Sequence, residues 1–292
     1  MGESDQGRGH QGALTHVHVA EHYARGRLVD AIREGLAQTG KSETTVTAED
    51  LAPVDEFHIG GRTATQEIAG ELGLTATDNV LDVGCGLGGP ARQIAAQYGC
   101  RVAGVDLTRD YVETGNVLSG WLKLNDRVTL REGNALSLPF DDQTFSAAYM
   151  LHVGMNIGDK HTLFAGVARV LRKRARFAVY DVMRTADGDL PYPLPWASSA
   201  ATSAVASPAD YRDAFRAAGF EIVSVRDRRE VALAYFARQK AQAAVAGSAA
   251  RSAALGLHVL LGARRPEMVR NMSESIAAGL IAPVEIIARM AG

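Results

Sequence analysis

Six residues, Gly84-Cys85-Gly86-Leu87-Gly88-Gly89, follow directly on the apolar run Val80-Leu81-Asp82-Val83 and lead into Pro90. The spacing reads as a strand that breaks into a tight turn and restarts as a helix, because the fixed φ of proline suits a first helical position. Glycines in such a turn let a ligand lie against bare backbone. Two carboxylates flank the loop. Asp82 stands two residues before Gly84, and Asp106 ends the next apolar run, where a carboxylate can accept from both hydroxyls of a ribose. The chemistry on offer is therefore the binding of a nucleoside-containing ligand.

Two ligands compete for the loop, beside the plain alternative of a tight turn with no ligand. Gly84, Gly86 and Gly89 satisfy the dinucleotide pattern G-x-G-x-x-G, which would make the chain a nicotinamide enzyme. Asp82 argues against this, since a carboxylate repels a pyrophosphate. S-adenosylmethionine instead presents an α-ammonium, which a carboxylate suits. Charge favours S-adenosylmethionine, with Asp82, Gly84, Cys85, Gly86, Asp106 and Leu107 around it.

The segment from Val80 to Arg92 resembles the first motif of class I methyltransferases. Val102-Ala103-Gly104-Val105-Asp106 is similar to their ribose-binding segment, and Gly133-Asn134-Ala135 with Leu138-Pro139-Phe140-Asp141-Asp142 to their adenine-side motif. Arg169-Val170-Leu171-Arg172 resembles the helix end before the fifth strand. Together these cover about residues 58–226. The resemblance implies a cofactor site completed by Asn134 and Ala135, with His58 and Gly60 of the preceding loop closing near the methionine part. Asn134 replaces the commoner aspartate, yet its carbonyl oxygen still accepts a hydrogen bond. Lys173-Arg174-Ala175 stands where the family has Pro-Gly-Gly, which removes an easy helix cap.

The acceptor side rests on residues after the fourth and fifth strands. His152 is either a loop histidine bonded to a carbonyl or a base facing the methyl acceptor. Some natural-product sugar O-methyltransferases carry a similar His and Asp pair, which makes His152 and Asp181 catalytic candidates by resemblance. A narrower resemblance, to sarcosine/dimethylglycine N-methyltransferases, is carried by Leu51 to Gly61, His152 to Ile157 and Pro193-Leu194-Pro195-Trp196-Ala197. It implies Arg184 as a carboxylate clamp, and Trp196, Tyr192 and Tyr180 around a developing quaternary cation. Met155 and Asn156 complete the candidate substrate set, with turn and packing roles as their plainer reading. O-methylation of a sugar or other natural product and C-methylation of a quinone precursor stand beside the N-methyl reading. A cofactor-binding protein without transfer chemistry is the non-enzymatic alternative.

The elements that must position these residues alternate. Strands are expected at Asn79–Val83, Arg101–Val105, Arg127–Arg131, Phe145–Met150, Arg176–Asp181, Glu221–Val225 and Val284–Ala288. Helices are expected at Pro90–Tyr98, Asp110–Lys123, Lys160–Leu171 and Pro208–Ala218. The pattern predicts an α/β fold: a Rossmann-like, doubly wound, mostly parallel seven-stranded sheet with helical N-terminal and C-terminal cap elements. The expected divisions are a disordered tail and helical cap over 1–57, a cofactor-binding core over 58–228, a helical cap insertion over 229–281 and a final core strand in 282–292. The caps are expected to form a lid over the sheet's C-terminal edge or a homodimer contact.

Of the 292 residues, 47% are hydrophobic and 22% charged, enough apolar matter for a sizeable core, and the net charge of -2 speaks against nucleic acid as a bulk partner. No uncharged stretch approaches membrane-spanning length, so no membrane partner is expected. Two cysteines without close metal-ligand spacing fit a reducing cytoplasm rather than a disulfide framework. His16, His18 and His22 invite a metal reading but lack acidic companions of clear spacing, so no metal is expected. The expected partner is a small-molecule methyl acceptor.

Overall fold

The central strands are buried on both faces, successive side chains entering opposite layers. Ala148 and Met150 of β4 (Phe145–Leu151) face one hydrophobic layer, while Ala147, Tyr149 and Leu151 face the other. In β5 (Leu171–Arg184), Phe177 and Val179 again oppose Ala178 and Tyr180. Strands buried on both faces need helices on both sides, the requirement of a doubly wound sheet. The computed structural model, which describes residues 28–245 and 255–292, has this architecture. Its seven strands run in the order β3-β2-β1-β4-β5-β7-β6. β1 (Asn79–Val83), β2 (Arg101–Asp106), β3 (Val128–Glu132), β4 and β5 are parallel, and β7 (Ile281–Met290) runs antiparallel between β5 and β6 (Phe220–Asp227).

One layer is closed by the helices Lys160–Val170 and Pro208–Ala217, whose Phe164, Val167, Tyr211 and Phe215 are fully buried. The other is closed by Gly61–Leu72 and Gly89–Tyr98. The helix Arg109–Trp121 packs along β2 and β3, and the other helices gather at the strands' C-terminal ends. Leu28–Ala37 and Ala48–Asp55 pack with Tyr111, Leu118, Leu255 and Leu260. Arg229–Val245 and Arg265–Ala277 bring Ala232, Met272 and Ile276 against Met155 and Trp196. The helix Ala48–Asp55 starts on a capping box, in which Asp50 N donates to Thr47 Oγ1 and Thr47 N to the Asp50 carboxylate.

Three local differences from expectation have physical causes. The helix ending at Val170 needs no glycine cap, because Leu171 is already extended and starts β5. Lys173-Arg174-Ala175 is absorbed as a bulge: Phe145 pairs with Leu171 but Ala147 with Arg176, and Arg174 takes a left-handed φ of 65°. β7 is longer than Val284–Ala288 and runs through Pro283, which pairs with Val182. Its buried Glu285 accepts from Arg226 and Arg228, satisfying the one buried charge of the strand. The residues before Leu28, including His16, His18 and His22, lie outside the described residues. No described helix is long and apolar enough to cross a membrane.

Candidate active site

The loop after β1 is held from below by the next strand. Gly84 N and Cys85 N both donate to Val105 O, at 2.8 and 3.0 Å. Asp106 ties two backbone segments together, its Oδ2 accepting from Gly86 N and its Oδ1 from Thr108 N, each at 2.9 Å. At Gly84 the loop leaves no room for a side chain, since a β-carbon would stand 2.3 Å from Val153 Cγ2. Gly86 is different. Its φ is +51°, and a β-carbon there would meet nothing within 4 Å. The backbone at Gly86 thus opens onto free space, as a ligand cradle requires.

That space is a cavity roofed by the caps. From the core it is lined by Asp82, Gly84, Cys85, Gly86, Asp106, Leu107, Asn134 and Ala135, together with His152, Met155 and Asn156. His58 and Trp196 close it from the flanking loops. The structure therefore brings most of the expected set into one place. Asp82 lies opposite Tyr149 in the neighbouring strand, and Tyr149 Oη donates to its Oδ2 at 2.8 Å. Asn134 directs its Oδ1 at Leu136 N, 2.9 Å away, which shapes the turn on the adenine side.

The two histidines are neutral for the same reason. Burial pushes His58 down to about 4, and it holds His152 well below its usual range, with the neighbouring His58 adding to the effect. His58 Nε2 lies 3.1 Å from both Gly61 O and Thr65 Oγ1, while Thr65 Oγ1 itself donates to Glu56 Oε2. That arrangement places the proton of His58 on Nε2. His152 sits at a left-handed φ of 54°, its N–H donating to Tyr180 O and its ring 5.1 Å from that of Tyr180. Its Nε2 is buried and has no hydrogen-bond partner among the described residues.

Five expected positions, Asp181, Arg184, Tyr180, Tyr192 and Gly60, are not in the cavity wall. Asp181 shares its strand face with Val179 and Met183, so it turns toward the outer helices. There it accepts from Tyr211 Oη at 2.5 Å, and burial pushes its carboxyl up to about 6 against that hydrogen bond. A β-carbon on Gly154 would come within 2.4 Å of Asp181 Oδ2. The Asp181 carboxylate is therefore engaged beside the turn Gly154–Asn156, which carries Met155 and Asn156, and not in the cavity wall. Arg184 donates to Ala186 O and Gly188 O and does not line the cavity. Tyr192 packs in the apolar cluster around Leu190 and Leu194. Gly60 takes a left-handed φ of +94° to cap the helix Gly61–Leu72, and a β-carbon there would stand 2.8 Å from that of Ala64.

Several wall residues escaped the sequence reading. Asp55 and Phe57 come from the N-terminal cap, and Tyr235, Phe236, Leu260 and Arg265 from the C-terminal one. Asp55 pairs with Arg92 at 2.7 Å, both side chains almost wholly buried. The sequence leaves Asp55 among the residues Leu51 to Gly61, and nothing local to it points to Arg92 as its partner.

Residues 80–174 match the family described as Methyltransferase domain. An O-methyltransferase of Aspergillus sclerotiorum is 31% identical over 134 residues, covering 46% of this chain and 51% of that protein. The chain thus spans about half the length of that curated relative. A geranyl diphosphate C-methyltransferase from Streptomyces coelicolor A3(2) has the same fold, with a TM-score of 0.67 and 22% identity over 94% of this chain and 97% of that one. A putative sarcosine dimethylglycine methyltransferase from Galdieria sulphuraria superposes with a TM-score of 0.64 at 19% identity, over 78% and 85% of the two chains. Residues 80–174 are thus similar to a methyltransferase domain, and the chain shares its fold with a methyltransferase solved with S-adenosyl-L-homocysteine, the spent form of the cofactor S-adenosylmethionine. The open backbone at Gly86 between the carboxylates of Asp82 and Asp106 fits that cofactor.

Asp82 gives the site a pH signature. Burial pushes its carboxyl up to about 7, the Tyr149 hydrogen bond opposing this and the charge of Asp106 adding to it. A bound ammonium favours the ionised form, so below pH 7 the ligand must first displace a proton. Affinity for S-adenosylhomocysteine, measured by calorimetry, is expected to rise about tenfold from pH 6 to pH 8. Asp82→Asn is expected to weaken binding and flatten that rise. In the cofactor-free protein the sign is opposite: the raised carboxyl contributes stability that is complete below its ordinary value of 3.8 and lost as pH climbs through about 7. A flat affinity profile for the unaltered protein would remove the ammonium from Asp82.

Proposed function

We propose that the protein transfers the methyl group of S-adenosylmethionine to a small-molecule acceptor enclosed beneath the caps, with His152 facing the reacting atom. The observation that carries this reading is the unpartnered Nε2 of His152, in the same cavity as Gly86 and Asp106. When bound, S-adenosylmethionine supplies a methyl group already activated by its sulfonium. What remains for the chain is to align the acceptor, exclude water and receive any proton the acceptor loses. Asp82, Gly86, Asp106 and Asn134 would hold the cofactor. Phe57, Trp196, Tyr235 and Phe236 would keep water from the acceptor.

A neutral imidazole accepts a hydrogen bond from a hydroxyl and can take its proton as the new bond to carbon forms. Its depressed basicity suits a proton released late, once the oxygen has become acidic in the transition state. This favours O-methylation over the amine reading, which loses its clamp because Arg184 is engaged by Ala186 and Gly188. The test is a panel of phenols, hydroxy acids and dimethylglycine offered with labelled S-adenosylmethionine. Transfer to a hydroxyl is expected, and His152→Ala should lower kcat by about 10²–10⁴-fold with S-adenosylhomocysteine affinity unchanged. No transfer to any acceptor by cofactor-binding protein would overturn the enzymatic reading. An unaltered kcat in His152→Ala would remove the base.

A further inference from the structure

The cavity wall is chemically lopsided, and its one cation lies on the cap. Four charged residues line it among the described residues: Asp55, Asp82, Asp106 and Arg265. The three acids have assigned partners. Asp55 meets Arg92, Asp82 takes the Tyr149 hydroxyl, and Asp106 accepts from two backbone amides. Arg265, the first residue of the helix Arg265–Ala277, makes none of the ion pairs found among the described residues; the nearby Glu267 is held by Arg264 instead. Its Nε is buried without a hydrogen-bond partner. Around it the cap contributes Tyr235, Phe236, Leu257, Leu261 and Val269, an apolar and aromatic surface.

A guanidinium partly buried in such a wall is costly unless an anion meets it, and its planar fork matches a carboxylate or phosphate. The opposite polar character appears at the turn after β4. There Asn156 Oδ1 is buried without a partner while its Nδ2 donates to Val153 O, and His152 Nε2 is also unengaged. Those two atoms can receive hydrogen bonds from a donor on the acceptor. Resting on the methyl-transfer reading, we infer that the methyl acceptor is an amphipathic anion. Its apolar or aromatic body lies against the cap, its anionic group meets Arg265, and a hydroxyl is offered to His152 and Asn156.

The probes are p-coumarate and its methyl ester, which share a phenol and a ring and differ in charge, with decanoate and decanol as an aliphatic pair. Binding to the full chain loaded with S-adenosylhomocysteine is measured by calorimetry, with thermal melting as a check of folding. The expected result is that each anion binds at least tenfold tighter than its neutral counterpart. Arg265→Met should abolish that preference, leaving neutral-probe and S-adenosylhomocysteine affinity unchanged, and Arg265→Lys should retain part of it. Should Arg265→Met not fold, Arg265→Gln carries the same expectation. Equal binding of acid and ester, binding of neither anion, or an unchanged preference in the Arg265 variants would overturn the assignment. Anion binding without methyl transfer would instead count against the catalytic reading, which separates the two failures.

Discussion

Gly86→Val is expected to fold and to lose S-adenosylhomocysteine affinity by about 100-fold or more, equivalent to ~2.7 kcal/mol. The two halves of this expectation have separate causes. A β-carbon at Gly86 meets no protein atom within 4 Å, so nothing inside the fold is displaced. The left-handed φ of +51° costs a side-chain-bearing residue roughly 1–2 kcal/mol, which a domain stable by about 5–15 kcal/mol survives. The added carbons, however, project into the cavity between Asp82 and Asp106, where the cofactor must lie. Gly84→Val is the instructive contrast, because its β-carbon would run into Val153 at 2.3 Å and the damage would fall on folding. Calorimetry on both variants, with melting curves, distinguishes the two. A Gly86→Val protein that binds S-adenosylhomocysteine normally would place the cofactor elsewhere.

How much of this was legible in the sequence follows from how local each signal is. The glycine loop, Asp82 and Asp106 lie in adjacent strand and turn segments, so their meeting is dictated by one crossover between neighbouring parallel strands. The alternation of strand and helix segments likewise announced the doubly wound sheet. Asp181 and Arg184 show where position along a strand is not enough. Parity sends Asp181 to the face shared with Val179 and Met183, and the chain after β5 turns Ala186 and Gly188 back onto Arg184. Tyr235 and Phe236 belong to an Ala-rich helix without a clear apolar stripe, and Arg265 to a helix whose stripe does not name its partner. Their arrival over the glycine loop is a property of the whole fold.

The other large effect is expected at the joint between the N-terminal cap and the core. Asp55→Ala should lower stability by about 3–5 kcal/mol, because it leaves Arg92 as a buried charge without its counterion. Arg92 Nη2 donates to Asp55 at 2.7 Å, and Nη1 reaches Gly115 O and Ser119 Oγ at 3.0 and 3.3 Å. Those bonds fix the guanidinium in place, so it cannot swing out to water when its partner is removed. The cap approaches closely here, since a β-carbon on Gly89 would stand 2.3 Å from Asp55 O. The helix Ala48–Asp55 is thus seated on the start of the helix that follows the cofactor loop. Loosening it should also weaken S-adenosylhomocysteine binding, because Val54, Asp55 and Phe57 form part of the cavity wall. The double variant Asp55→Ala with Arg92→Met should be more stable than Asp55→Ala alone, since it removes the stranded charge along with its partner. Denaturant unfolding of the single and double variants measures this directly. Simple additivity of the two losses would show that the pair is not coupled, and that the cap is held by its apolar contacts through Leu51 and Val54 instead.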